Sequence, residues 1–174
     1  MTQEVPYETI KKIRDIEIRR YPEVLYAVVD NDRYDSGFNL LFQYISGKNT
    51  TRRRIAMTAP VITSEKIAMT APVITKTGVM AFALPSSYTK ETVPLPTNPG
   101  VAIEGQPKKE MAVLRFSGRT SEKRVEKYAQ KLKTILQNEG IQCIGELILM
   151  RYNSPFTPGF LRRNEVGIEI KFSK

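Results

Sequence analysis

The sequence predicts an α+β fold: a pseudo-two-fold duplicated strand-strand-helix-strand-strand module, forming a curved sheet or distorted open β-barrel flanked by two helices. Three observations predict it. A nine-residue word, IAMTAPVIT, stands at Ile55–Thr63 and again at Ile67–Thr75, twelve residues later. The order of apolar patterns that precedes Pro85 recurs after Gly100. Two segments, Ser36–Ser46 and Ser121–Asn138, carry apolar residues at helical spacing. We expect a single domain over residues 1–174, with half one at 1–85, a connection at 86–100 and half two at 101–174.

Ile10–Tyr21 and Leu25–Val29 have strand character and are split by Pro22; Ile16, Ile18 and Arg20 alternate with Glu17, Arg19 and Tyr21. Asp30–Asp35 is a polar turn. In Ser36–Ser46, Phe38, Leu41, Phe42 and Ile45 fall at i, i+3, i+4 and i+7, with Asp35 or Ser36 able to cap the start and Gly47 to end it. The two copies of the word keep the same strand phase because twelve is even. The connection Ser64-Glu65-Lys66 could fold them into a hairpin, pairing Met57 with Val73 and Val61 with Met69. Pro60 and Pro72 cannot donate to a ladder, so the expected ribbon is kinked or partly unpaired. Val79–Leu84 is a further strand, and Ser86–Gly100, rich in proline, is an irregular connection. Beyond it come strands at Val101–Glu104 and Met111–Phe116. A helix follows at Ser121–Asn138, with an apolar stripe of Val125, Tyr128, Ala129, Leu132, Ile135 and Leu136. Thr120 or Ser121 caps it and Gly140 stops it. Ile144–Tyr152 and Val166–Phe172 are the last strands.

Composition narrows the class. At 174 residues the chain can bury a core without staples. A lone cysteine, Cys143, excludes an internal disulfide and points to a reducing compartment; within the apolar run IQCIG it reads as an inert core thiol. No stretch approaches the ~20 apolar residues of a membrane span. The segment MTQEVPYETIKK lacks the apolar core of a signal peptide, so a cytoplasmic location is expected. Self-association is not legible, and a monomer is the simpler expectation. The net charge of +9 favours anionic partners. It is spread over short clusters such as Arg52-Arg53-Arg54 and Arg162-Arg163, with no contiguous tract or recognition motif for specific nucleic-acid binding. The chain has no histidine, which excludes Ser-His-Asp and Cys-His catalysis, and it has no cluster of zinc ligands or glycine-rich phosphate loop. A non-enzyme is expected.

Four stretches carry a family resemblance: YISGKN (Tyr44–Asn49), IAMTAPV in both copies, MAFALPS (Met80–Ser86) and YNSPFTPGFLRRNEV (Tyr152–Val166). In order and spacing they resemble the SOUL heme-binding family over nearly the whole chain. The resemblance implies a pseudo-symmetric α+β barrel with two helices, binding heme or another tetrapyrrole in a groove between the first helix and the sheet. There are departures. The family often has tryptophan after RNEV, where this chain has Gly167 and no tryptophan anywhere. The absence of histidine removes the usual iron ligand, leaving a methionine, a tyrosinate or Cys143, or no coordination at all.

A porphyrin is a flat apolar plate with carboxylates at one edge. Burying on the order of 400 Å² of it contributes about 10 kcal/mol at ~25 cal/mol per Å², against an association cost of about 4–15 kcal/mol. An apolar shelf and cationic partners for the propionates are therefore required. Phe38, Leu41, Phe42 and Ile45 can form the shelf, Met57 or Met69 an adaptable wall, and Lys48 with Arg53 and Arg54 the cations. Each also has an ordinary reading: helix stripe as core, methionine as filler, arginine triplet as solvated turn. Arg163, Asn164 and Glu165 read as a structural group that pins the last strand. The doubled layout also resembles the effector-binding modules of bacterial transcription regulators. Those hold amphipathic organic cations, for which a buried carboxylate is needed.

Overall fold

The computed structural model describes residues 3–30, 34–51, 64–154 and 156–172. In chain order its elements begin β1 (Gln3–Glu4), β2 (Glu8–Ile13), β3 (Ile16–Tyr21), β4 (Val24–Asp30), α1 (Tyr34–Ile45), β5 (Asn49–Thr50), β6 (Thr70–Lys76) and β7 (Val79–Ala83). They continue with β8 (Leu95–Pro96), β9 (Val101–Gln106), β10 (Lys109–Ser117), α2 (Glu122–Asn138), β11 (Gln142–Arg151) and β12 (Arg163–Lys171). A single turn of 3-10 helix covers Gly159–Leu161. The fold is α+β, with two helices and largely antiparallel strand pairing among the described residues. Two compact units divide the chain. One comprises Met1–Val5, Val24–Ala71 and Thr77–Gln106; the other comprises Pro6–Glu23, Pro72–Lys76 and Pro107–Lys174.

In the second of these units the strands follow the order β2-β3-β10-β12-β11-β6, every pair antiparallel. The helix α2 lies across β10, β11 and β12. Its Ala129, Leu132, Ile135 and Leu136 are buried, as the stripe requires. They meet the alternate residues Ala112, Leu114 and Phe116 of β10 and Val166, Ile168 and Ile170 of β12. Ser121 is the N-cap residue, though its side chain makes no capping hydrogen bond, and Gly140 at φ 66° follows the helix. The expected strand Ile10–Tyr21 is in fact a hairpin. The chain turns at Arg14-Asp15, with Arg14 at φ 52°. An arginine in left-handed conformation leaves no glycine or proline signal in the sequence.

In the other unit β4 lies between β7 and β9, again antiparallel, and α1 packs on this ladder. Its buried large side chains are Leu41, Tyr44 and Ile45, whereas Phe42 is 49% exposed. The inward face is thus rotated from the expected stripe, because Tyr44 can enter the core: its hydroxyl donates to the Pro94 carbonyl at 2.8 Å. The helix begins at Tyr34, so Asp35 and Ser36 fall inside it and do not precede it as caps. Gly47, at φ 120°, follows its end.

The second copy of the word supplies β6. Thr70 and Ala71 pair with Gln3 and Glu4, and Val73, Ile74 and Thr75 pair with Arg151, Met150 and Leu149. Pro72 sits where the partner changes, which is where a missing N–H costs least. The first copy, Ile55–Thr63, and with it the expected hairpin, lies outside the described residues. Val73 has Arg151 as its partner. Cys143 is exposed near an irregularity in β11, not in the core as its apolar neighbours suggested.

Candidate functional site

The end of α1 is built by the YISGKN stretch. Tyr44 anchors the proline-rich connection, and Gly47 lets the chain leave the helix. Asn49 is buried, and its Nδ2 donates to the carbonyls of Tyr44 and Glu65, both at 2.8 Å. Its Oδ1 accepts from the Glu65 N–H at 3.0 Å. One amide side chain thereby ties the segment after Ser64 to the helix, and the Ile67 N–H donates to the Ile45 carbonyl at 2.8 Å. Glu65 is fixed in turn by the Tyr88 hydroxyl, 2.5 Å away.

The expected shelf residues divide between two environments. Leu41 and Ile45 are core. Phe38 is half-buried, its ring edge-on to Phe82 with centroids 5.3 Å apart. Phe42 is stacked on Phe38 at 6.1 Å and 11° and remains half exposed. Lys48 is exposed, with Nζ donating to Gln43 Oε1 at 3.0 Å, and Met69 is half-buried. Arg53, Arg54 and Met57 lie outside the described residues. The described group is therefore an apolar aromatic pair on α1 and, three residues past the helix end, an exposed ammonium.

A second polar centre lies in the unit that carries α2, on the sheet face opposite that helix. Glu165 is fully buried and Arg19 is 3% exposed. Arg19 Nη1 donates to Glu165 Oε2 at 2.7 Å and Nη2 to Oε1 at 3.1 Å, a bidentate pair. Tyr152 donates its hydroxyl to Glu165 Oε2 at 2.8 Å, and Arg163 Nη2 donates to Oε1 at 3.0 Å. Arg19 also reaches Glu17 at 2.8 Å and lies 4.0 Å over the Tyr7 ring. Burial alone would raise the Glu165 pKa. The Arg19 guanidinium, the Tyr152 hydroxyl and Arg163 outweigh it and hold the carboxyl below the usual range. Burial pushes the Tyr152 phenol well above its ordinary value, helped by the neighbouring Glu165 charge. Asn164 donates to the Gly118 carbonyl at 2.8 Å. The RRNEV stretch thus does pin the last strand. The sequence reading missed Arg19 and Tyr7 as members, although Arg19 shares a strand face with Glu17 and Tyr21. Gly167, where the family often has tryptophan, lies beneath two thioethers: a Cβ there would meet Met150 Cε at 2.8 Å and Met111 Cε at 2.9 Å.

The family model described as SOUL heme-binding protein matches residues 2–66 and again 63–169. The chain belongs to the SOUL heme-binding protein family. The two matches overlap at residues 63–66, between the copies of IAMTAPVIT. Heme-binding protein 2 of Mus musculus is 29% identical over 170 residues, covering 89% of this chain and 82% of that protein. Among solved structures, the EcmrR C-terminal domain is similar in fold, with TM-score 0.60 and 10% identity over 95% of this chain and 98% of that one. A hydrolase from Listeria innocua has TM-score 0.57 and 13% identity over 93% and 94% of the respective chains. At such identities these two likenesses concern the fold alone.

Proposed function

We propose that the chain is a non-enzymatic carrier, buffer or sensor that binds heme or a related tetrapyrrole against the outer side of α1, without histidine ligation. Family membership supports the ligand class. The observation that carries the location is the Phe38–Phe42 stack, a half-exposed aromatic surface on α1, with the exposed Lys48 just past the helix end. These residues fit a flat ring held by its face, with Lys48 for a propionate and Met69 as an adaptable wall. Heme, when bound, supplies its own redox and ligand chemistry. What this chain contributes is an apolar contact, a cation and no imidazole. Tyr44 is not a candidate ligand, since its hydroxyl is committed to the Pro94 carbonyl.

The competing idea, a pocket for organic cations, needs a buried carboxylate free to receive one. Glu165 is buried, but Arg19 and Arg163 already neutralise it. That pairing favours the anionic ligand. Titration with hemin and with metal-free protoporphyrin, followed by the Soret band and tyrosine quenching, tests the proposal. Comparable affinity for both is expected. Binding of hemin alone would establish ligation by sulfur or phenolate and overturn the ligand-independent mode; binding of neither would overturn the function.

A further inference from the structure

Between β11 and β12 the chain carries Phe156, Phe160 and Leu161, which are 96%, 78% and 61% exposed. Isolated exposed apolar residues are ordinary, but three large ones within six positions are not. The loop holds them in a defined presentation. The Thr157 N–H donates to the Ser154 carbonyl at 3.0 Å, Leu161 to Pro158 at 3.0 Å, and Arg162 Nε to the Thr157 carbonyl at 2.8 Å. Phe160 shares a shallow hollow with Arg119 and Arg124, both exposed. Arg119 runs along Gly159, where a Cβ would stand 3.2 Å from its Cγ. Arg124 is steadied by a 2.8 Å hydrogen bond from Nη2 to the Ser117 carbonyl. The Phe160 ring thus stands beside two guanidinium groups, with Phe156 and Leu161 exposed on the same loop, on a chain of net charge +9.

We propose that this loop is a peripheral anchor for an anionic lipid bilayer. Phe156, Phe160 and Leu161 enter the interface, and Arg119 and Arg124 engage lipid phosphate and carboxylate groups. The occupant follows from shape and charge. Phe156 is almost wholly in solvent, with no opposing wall among the described residues to grip a disc-shaped ligand, so the tip suits a soft surface. The adjoining cations select a negative one. The anchor uses none of the α1 residues and does not rest on tetrapyrrole binding.

The chain has no tryptophan, so Phe160→Trp installs a sole indole reporter at the tip. This variant is mixed with vesicles of phosphatidylcholine, and with vesicles containing about 30% phosphatidylserine. A blue shift and co-sedimentation with the anionic vesicles only, reversed by high salt, are expected. In the same background Phe156→Ser with Leu161→Ser, and separately Arg119→Glu with Arg124→Glu, should each weaken vesicle affinity by about tenfold or more. Circular dichroism and the hemin titration should be unchanged in both, showing that the fold and the other site survive. No shift with either vesicle, equal affinity for neutral vesicles, or undiminished binding of either double variant would overturn the anchor. So would a concentration-dependent self-association that the loop substitutions abolish, since the loop would then serve a second copy of the chain.

Discussion

Arg19→Met tests the buried centre most severely. Arg19 and Glu165 are linked by two hydrogen bonds, at 2.7 and 3.1 Å, with side-chain exposures of 4% and 0%. Methionine keeps much of the side-chain volume and removes the charge. Glu165 then retains Arg163 and Tyr152, at 3.0 and 2.8 Å. Removing one partner of a buried ion pair costs about 3–5 kcal/mol. The remaining Arg163 places the expectation at the lower end, about 3 kcal/mol, corresponding to roughly 6–12 °C in Tm for a chain of this size. Urea unfolding at neutral pH, with the slope checked for constancy, gives the value. The companion Glu165→Gln leaves Arg19 still paired with Glu17 at 2.8 Å and should cost less. Adding Glu165→Gln to Arg19→Met should recover stability relative to Arg19→Met alone, because no carboxylate is then left undercompensated. Strictly additive losses in that cycle, or a loss below about 1 kcal/mol for Arg19→Met, would refute the reasoning.

Two further predictions follow from the same physical picture. Because its surroundings depress the Glu165 pKa, the native state holds this group ionised at pH values where the unfolded chain protonates it. Its contribution is present above the unfolded value of about 4.3 and is lost as pH falls through the lower native value. Urea midpoints of the parent should therefore drop more steeply below about pH 4 than those of Glu165→Gln, and parallel curves would contradict this. Deleting Ser64–Thr75 joins Thr63 to Lys76 and leaves one IAMTAPVIT directly before the β6–β7 turn. Cooperative unfolding should persist, with about 1 kcal/mol lost for each of the Glu65 hydrogen bonds to Tyr88 and Asn49 that the remaining copy does not replace. Non-cooperative melting would show that both copies are built into the fold.

The sequence was most informative where periodicity and punctuation agreed. The helix α2 was legible nearly to the residue because its stripe, Ser121 and Gly140 all point to the same boundaries. The strands around α2 alternate for the same reason, and YISGKN and RRNEV marked real structural joints. The hairpin turn at Arg14-Asp15 was illegible, because its left-handed residue is arginine. The orientation of α1 was misread at Phe42 and Tyr44, since a tyrosine counts as surface until its hydroxyl finds a carbonyl. Cys143 misled in the other direction: its neighbours are apolar, but β11 is irregular there and leaves the thiol exposed. Of the candidate shelf, spacing alone could not separate Leu41 and Ile45, used for packing, from Phe42, left on the surface.

The most direct test is the affinity of Phe42→Asp for hemin and for metal-free protoporphyrin, measured beside the parent chain. Phe42 is half exposed, so its replacement should leave the fold intact. Loss of roughly 80–100 Å² of apolar contact is worth about 2 kcal/mol, or roughly thirtyfold in Kd. The account predicts that weakening, of similar size for both ligands. Unchanged affinity for both, in a variant that unfolds like the parent, would contradict it.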